Sequence, residues 1–212
     1  MKIINLSPAD IEKESFAIIA KELGDKTLDL EQEPIIKRVI HTTADFEYAD
    51  SLFFSPDAVA RAKAAIRGGA FIVTDTQMAY AGINKKAAGM FGCEVRCFMA
   101  DEDVAEQSKK LDITRATASM DKAEKLGQNI IFAIGNAPTA LIRLRELIDG
   151  DGFSPKFIIG VPVGFVNVVA AKELIMETDI PCIIARGRKG GSNVAACIVN
   201  ALLYTLDETR GQ

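Results

Sequence analysis

Four short runs with no polar residue inside them constrain this chain more than any other feature: Ala70-Phe71-Ile72-Val73, Ile130-Ile131-Phe132-Ala133-Ile134, Phe157-Ile158-Ile159-Gly160-Val161 and Cys182-Ile183-Ile184-Ala185. A strand with one wet face alternates apolar and polar residues. An unbroken apolar run must be covered on both faces. Val95-Arg96-Cys97-Phe98-Met99 supplies a weaker fifth run. Segments with helical spacing separate the runs, and this alternation predicts an α/β chain: one parallel sheet of five central strands, near residues 70–74, 94–98, 130–134, 157–161 and 181–185, with helices on both sides. Right-handed crossovers restrict the strand order without fixing it. The chain has 212 residues, of which 49% are hydrophobic. That suffices for one core, and no linker, repeat or low-complexity tract divides it.

The helix signals are local. Ser7-Pro8-Ala9-Asp10 reads as an N-cap, a first-turn proline and an acidic third residue, opening a helix that buries Phe16, Ile19 and Leu23 and stops near Gly24. Pro34 opens a second helix, in which Ile35 with Val39 and Ile36 with Ile40 form two apolar rows. Arg38 then lies about one turn before His41 and Asp45 about one turn after it. Phe46, Tyr48, Leu52, Phe53 and Phe54 form an aromatic connection, read as core packing or a subunit contact. Ser55-Pro56 starts a third helix that Gly68-Gly69 ends, and a further helix spans about Val166 to Glu177. After Ser192, the positions Val194, Cys197, Ile198, Ala201 and Leu202 share one helical stripe.

His41 is the only histidine. Imidazole is the one side chain that exchanges a proton near neutrality without a special environment. A lone histidine can equally be an ordinary surface or hydrogen-bonded residue, and spacing leaves both readings open. Ser15 can point into a cleft or bond back to the preceding helical turn. Asp75 and Thr76 fall at the carboxyl end of a strand, where α/β proteins bind ligands. Three strand-end loops carry glycine: Gly135–Thr139, Val161–Phe165 and Arg186–Ser192. Free amides at the helix starts that follow suit a carboxylate or phosphate. The third loop adds Arg186, Arg188 and Lys189, which favours anion binding there over a solvated basic loop.

Several function classes drop out. A net charge of −4 provides no general attraction for nucleic acid or an anionic membrane. No signal segment or bilayer-length apolar run is found, so the cytoplasm is the expected location. Cys93, Cys97, Cys182 and Cys197 match neither zinc nor redox spacing and read as reduced hydrophobes. GRKGGS lacks the spacing of a nucleotide phosphate loop, and no GxGxxG or GxSxG is present. What remains is an arginine-lined site with one titratable imidazole, suited to a polyanion and to proton transfer.

The stretches IKRVIHTTADFEYAD, VTDTQM, ITRATASM, IGNAPTAL, GVPVGFVNVVAAKEL and GRKGGSNVAACIVNALL run in order along nearly the whole chain. Together they closely resemble the precorrin-8X methylmutase family of corrin biosynthesis and its cobalt-precorrin-8 counterpart. IGNAPTAL, VPVGFV and GRKGGS in combination are far more specific than any lone glycine motif. The family often carries alanine and an acidic–serine pair where this chain has Val168-Val169-Ala170-Ala171, a departure that bears on side-chain roles in that helix alone.

The resemblance implies a flavodoxin-like three-layer α/β/α fold, a homodimer with pockets near the subunit boundary, and an isomerase. The reaction so implied moves a methyl group from C11 to C12 within one tetrapyrrole, as in a 1,5-sigmatropic shift, giving hydrogenobyrinate or cobyrinate. It implies no cofactor and no external methyl donor; cobalt, where present, belongs to the substrate. On this resemblance His41 is the general acid, and Ser15 and Arg38 match substrate-contact positions. Arg115, Arg186, Arg188 and Lys189 are candidates for the acetate and propionate groups of the pigment. Thr76, Asn136 and Ser192 are polar candidates at helix ends, and Asp75 is expected to orient an arginine or a loop. For so reactive a pigment, product handover to the next pathway enzyme is a further expectation. A non-catalytic tetrapyrrole-binding or delivery protein is the alternative.

Overall fold

The computed structural model describes residues 7–207. In chain order its elements are α1 (Pro8–Leu23), α2 (Glu33–Thr43), α3 (Tyr48–Ser51), β1 (Leu52–Phe54), α4 (Ala58–Arg67), β2 (Phe71–Thr74), α5 (Gln77–Gly82), α6 (Lys85–Met90), β3 (Glu94–Arg96), α7 (Glu102–Leu111), α8 (Arg115–Glu124), β4 (Ile130–Ile134), α9 (Pro138–Asp151), β5 (Phe157–Gly160), α10 (Val168–Met176), β6 (Cys182–Ala185) and α11 (Ser192–Leu206).

The sheet is mixed and six-stranded, in the order β1-β6-β5-β4-β2-β3. This corrects the five-stranded flavodoxin-like expectation. All five expected strands are present and mutually parallel, but Leu52–Phe54, read from sequence as an aromatic connection, adds an antiparallel edge beside β6. Three residues are too few to show a strand period in sequence; their pairing is provided by the β6 edge. Leu52 and Phe54 join the core on one face while Phe53 joins the other, so the segment obeys the strand period once paired.

The same alternation divides the core. Ile131, Ala133, Phe157, Ile159 and Ile183 face α2, α4, α5, α6 and α11, whereas Ile130, Phe132, Ile134, Ile158 and Ile184 face α7, α8, α9 and α10. Two separate apolar clusters result, one on each side of the sheet. This is what unbroken apolar strands require.

Helix starts show where local signals are overridden. Ser7 caps α1 as expected, its Oγ accepting from the Asp10 amide at 3.3 Å and donating to Asp10 Oδ2 at 2.6 Å. Within α1, Ile19 is buried but Phe16 and Leu23 are only partly so, because α1 lies on α2 and not against the sheet. The helix expected from Ser55-Pro56 begins at Ala58. Ser55 instead extends the edge pairing: its amide donates to Cys182 O at 3.0 Å, and its Oγ accepts from the Cys182 amide at 2.9 Å. Likewise α10 starts at Val168 and not at Val166, after Asn167 in the left-handed region (φ 59°).

The sheet order reverses between β2 and β4. Successive connections therefore leave the carboxyl edge in opposite directions there, which makes this the topological switch point where such sheets usually bind ligands.

Candidate functional site

Asp75 follows β2 at that switch point and is wholly buried. Its Oδ1 accepts from the Gly135 amide at 2.8 Å, and its Oδ2 accepts from the Asn136 and Ala137 amides at 2.8 and 2.6 Å. These amides belong to the Gly135–Thr139 loop just before α9, which the sequence reading offered to a ligand anion. The chain's own carboxylate occupies them, so the loop orienter is Asp75 and the amides are spoken for. Burial raises the Asp75 pKa while the three N–H bonds oppose it. Every hydrogen-bond partner of the side chain is a donor, so the ionised form fits the site.

Thr76 and Ser192 are likewise committed internally. Their hydroxyls lie 2.8 Å apart, and Thr76 Oγ1 also caps α5 by accepting from the Ala79 amide at 3.0 Å. Asn136 exposes its side chain above the pinned amides. The glycines around this point serve chain-to-chain approach. A Cβ on Gly135 would meet Ser192 Cα at 2.7 Å, and one on Gly190 would meet Val161 O at 2.1 Å. The Gly191 amide donates to Val161 O at 2.9 Å, and the Gly164 amide donates to Arg188 O at 3.2 Å. The three glycine-bearing loops are thus one welded unit.

Of the three cations after β6, Lys189 is tied to Asp45 (2.6 Å) and Glu47 (2.7 Å), which raise its pKa, and its hydrogen bond in turn holds Asp45 below the usual carboxylate range. In this structure the Lys189 charge joins the basic loop to the segment just after α2. The Arg186 amide reinforces that junction by donating to Ser51 O at 2.8 Å. Arg186 and Arg188 themselves are exposed and make no ion pair among the described residues. They lie over aromatic rings, Arg186 4.9 Å above Phe53 and Arg188 5.5 Å above Phe165.

His41 stands exposed in the last turn of α2, its ring stacked on Phe16 with centroids 5.3 Å apart and planes 13° from parallel. The Arg38 guanidinium covers the same Phe16 ring at 5.1 Å and Tyr204 at 5.3 Å, and donates to Glu12 Oε1 at 2.8 Å. Ser15 donates back to Ile11 O at 2.7 Å, the local alternative. Thr42 Oγ1 lies 3.1 Å from Cys197 Sγ, which fixes this end of α2 along α11. Arg38 and His41 therefore share the Phe16 ring, while Ser15, next to Phe16 in α1, is bonded back into its own helix; Lys189 couples the segment after α2 to the basic loop. Arg115 is exposed at the start of α8, docked beside α9 through a Thr114–Thr139 hydroxyl contact of 2.9 Å.

Sequence reasoning missed Lys172. It is completely buried, with its Nζ donating to Gly187 O at 2.8 Å and Lys189 O at 2.9 Å, and burial lowers its pKa to about 8. A signal was present: Lys172 lies four residues after Val168 and three before Ile175, on the buried stripe of α10. Phe16 and Phe165, as platforms for a histidine and an arginine, had no such signal. Among the described residues no cluster of three His, Cys, Asp or Glu is placed to hold a metal, and no helix is long and apolar enough to cross a membrane.

Fold and site define an α/β protein whose carboxyl sheet edge presents arginines, apolar surface and one imidazole. The precorrin-8X methylmutase (CbiC) family model matches residues 10–205, and the chain belongs to that family of cobalamin-biosynthetic methylmutases. It is 44% identical to the cobalt-precorrin-8 methylmutase of Priestia megaterium over 97% of this chain and 92% of the relative. It is 35% identical to the precorrin-8X methylmutase of Pseudomonas aeruginosa over 91% and 93% of the two chains. The crystal structure of the precorrin-8X methylmutase from Thermus thermophilus superposes with a TM-score of 0.87 at 39% identity, covering 92% of this chain and 95% of that one.

Proposed function

We propose that the protein moves a methyl group from C11 to C12 within precorrin-8X or cobalt-precorrin-8, giving hydrogenobyrinate or cobyrinate. His41 acts as the general acid that protonates the conjugated ring system as the methyl migrates. The carbon–methyl bond broken at C11 and the one formed at C12 lie in the same molecule, so no external methyl donor takes part. A placed acid of this kind contributes about a hundred- to ten-thousand-fold, and the rest falls to holding the macrocycle in its reacting conformation. The observation carrying this reading is the Lys189 bridge to Asp45 and Glu47, which ties the arginine-bearing loop to the segment following His41.

Arg38, Arg186, Arg188 and Arg115 recognise carboxylates at the pigment rim, with Arg38 exchanging Glu12 for a ligand carboxylate. Phe165 and Val166, 83% and 77% exposed, with Val163 and Val169 beside them, supply apolar surface for the ring faces or for a second subunit that completes the enclosure. Identities of 44% and 45% to two relatives named cobalt-precorrin-8 methylmutase, against 35% and 39% for two named precorrin-8X methylmutase, favour the cobalt pigment as the first substrate to assay.

The test is incubation with cobalt-precorrin-8 and no methyl donor, following the pigment spectrum. Conversion by the wild type, with loss of turnover but retained binding in His41→Ala, is expected. Full turnover by His41→Ala removes the imidazole from the mechanism. Binding without rearrangement by the wild type leaves a tetrapyrrole-binding protein instead of an enzyme.

A further inference from the structure

We propose that Lys172 is a positioning residue that holds Arg188 in place to recognise a carboxylate at the rim of the bound pigment. This rests on the reading of the carboxyl sheet edge as the pigment site. The two carbonyls that Lys172 Nζ engages, those of Gly187 and Lys189, flank Arg188 on either side. The carbonyl between them, that of Arg188, accepts from the Gly164 amide. Three successive carbonyls are thus held from beneath, while the Lys189 side chain is drawn away to Asp45 and Glu47. Gly187 allows the turn this demands, at φ 75°.

The clamp fixes where the Arg188 side chain leaves the backbone, and its guanidinium rests over the ring of the exposed Phe165. A cation beside an exposed ring matches a ligand that carries carboxylates on the border of an apolar macrocycle. Water can satisfy the carbonyls of a surface loop at little cost, whereas burying an amine on an apolar helix stripe is unfavourable. That expense is explained if the loop must hold one conformation. Lys172 has no exposed surface, so it acts only through the loop.

The experiment combines two readouts on Lys172→Met, with Lys172→Gln as a smaller polar replacement should the first variant not fold. Amide hydrogen exchange at Gly164 and Gly191 reports the clamp and needs no pigment; at least a tenfold acceleration is expected. Cobyrinate affinity and steady-state kinetics report the consequence. Dissociation constant and KM should rise about tenfold while kcat changes less than about threefold, the pattern of lost uniform binding. Arg188→Ala should weaken cobyrinate binding about tenfold in the wild type and less than about threefold in the Lys172 variant, because the two residues act in series. Equal costs of Arg188→Ala in both backgrounds overturn the inference, as does unchanged exchange in the Lys172 variants. A wild type that binds no cobyrinate removes the pigment site and the ligand half of the inference together. The exchange readout then still decides whether Lys172 holds the loop.

Discussion

Replacing Asp75 by asparagine removes one charge and one acceptor while nearly keeping the shape, so its cost can be worked from three distances. In the wild type Oδ2 receives two amides, at 2.8 and 2.6 Å, and Oδ1 receives one, at 2.8 Å. The cheaper orientation of the new amide keeps its oxygen at the Oδ2 position. Its NH2 group then faces the Gly135 N–H, donor against donor. One charge-assisted bond is lost, worth about 1.5–3 kcal/mol, and a buried N–H is left unsatisfied at about 1–3 kcal/mol. Removing a charge that burial disfavours returns part of this, leaving a net loss of roughly 3 kcal/mol. With a urea slope near 3 kcal/mol/M for a chain of this size, the midpoint should fall by about 1 M. Urea unfolding followed by far-UV circular dichroism at pH 8, both proteins at one concentration, measures it. A midpoint unchanged within about 0.2 M would refute the ionised, triply bonded carboxylate and with it the account of how the β2 and β4 loops are held.

Three further outcomes are expected. Burial pushes the Lys172 amine from its ordinary 10.5 down to about 8, so between those values the unfolded chain holds a proton the folded chain has released, and stability rises with pH. The neutral amine keeps two N–H groups, enough for both loop carbonyls. The buried thiols Cys93 and Cys182, pushed up to about 11, act in the opposite sense, so the wild type must be compared with Lys172→Met. The wild type should gain roughly 3 kcal/mol relative to that variant from pH 7.5 to 10.5, and parallel denaturation curves would refute this. Glu12→Gln frees Arg38 from its ion pair and should tighten cobyrinate binding about twofold to fivefold by absorbance titration, whereas weaker binding would count against an Arg38 clamp. Gly190→Ala forces a Cβ against Val161 O, and calorimetry should register a loss of about 1–3 kcal/mol; wild-type stability would contradict the welded loops.

What the sequence determined by itself was whatever local pattern can carry. Apolar runs at Ile130–Ile134 and Phe157–Gly160 demanded a two-sided sheet. Ser7 and Asp10 made the cap of α1 legible. Distinctive loops named the family from GRKGGS and IGNAPTAL, and the single histidine was found by counting.

Tertiary structure alone decided how the candidate groups are spent. That Asp75 fills the loop amides before α9, some sixty residues away, depends on β2 and β4 being neighbours, which no local pattern encodes. Thr76 and Ser192 cancel each other across 116 residues for the same reason. The edge strand Leu52–Phe54 exists because β6 offers unpaired backbone, and Lys172 acquires its carbonyls only when the chain returns over α10. Periodicity reports which face a residue takes. It does not report the partner waiting there, because partners are set by strand order and loop approach, and these arise from the packing of the whole chain.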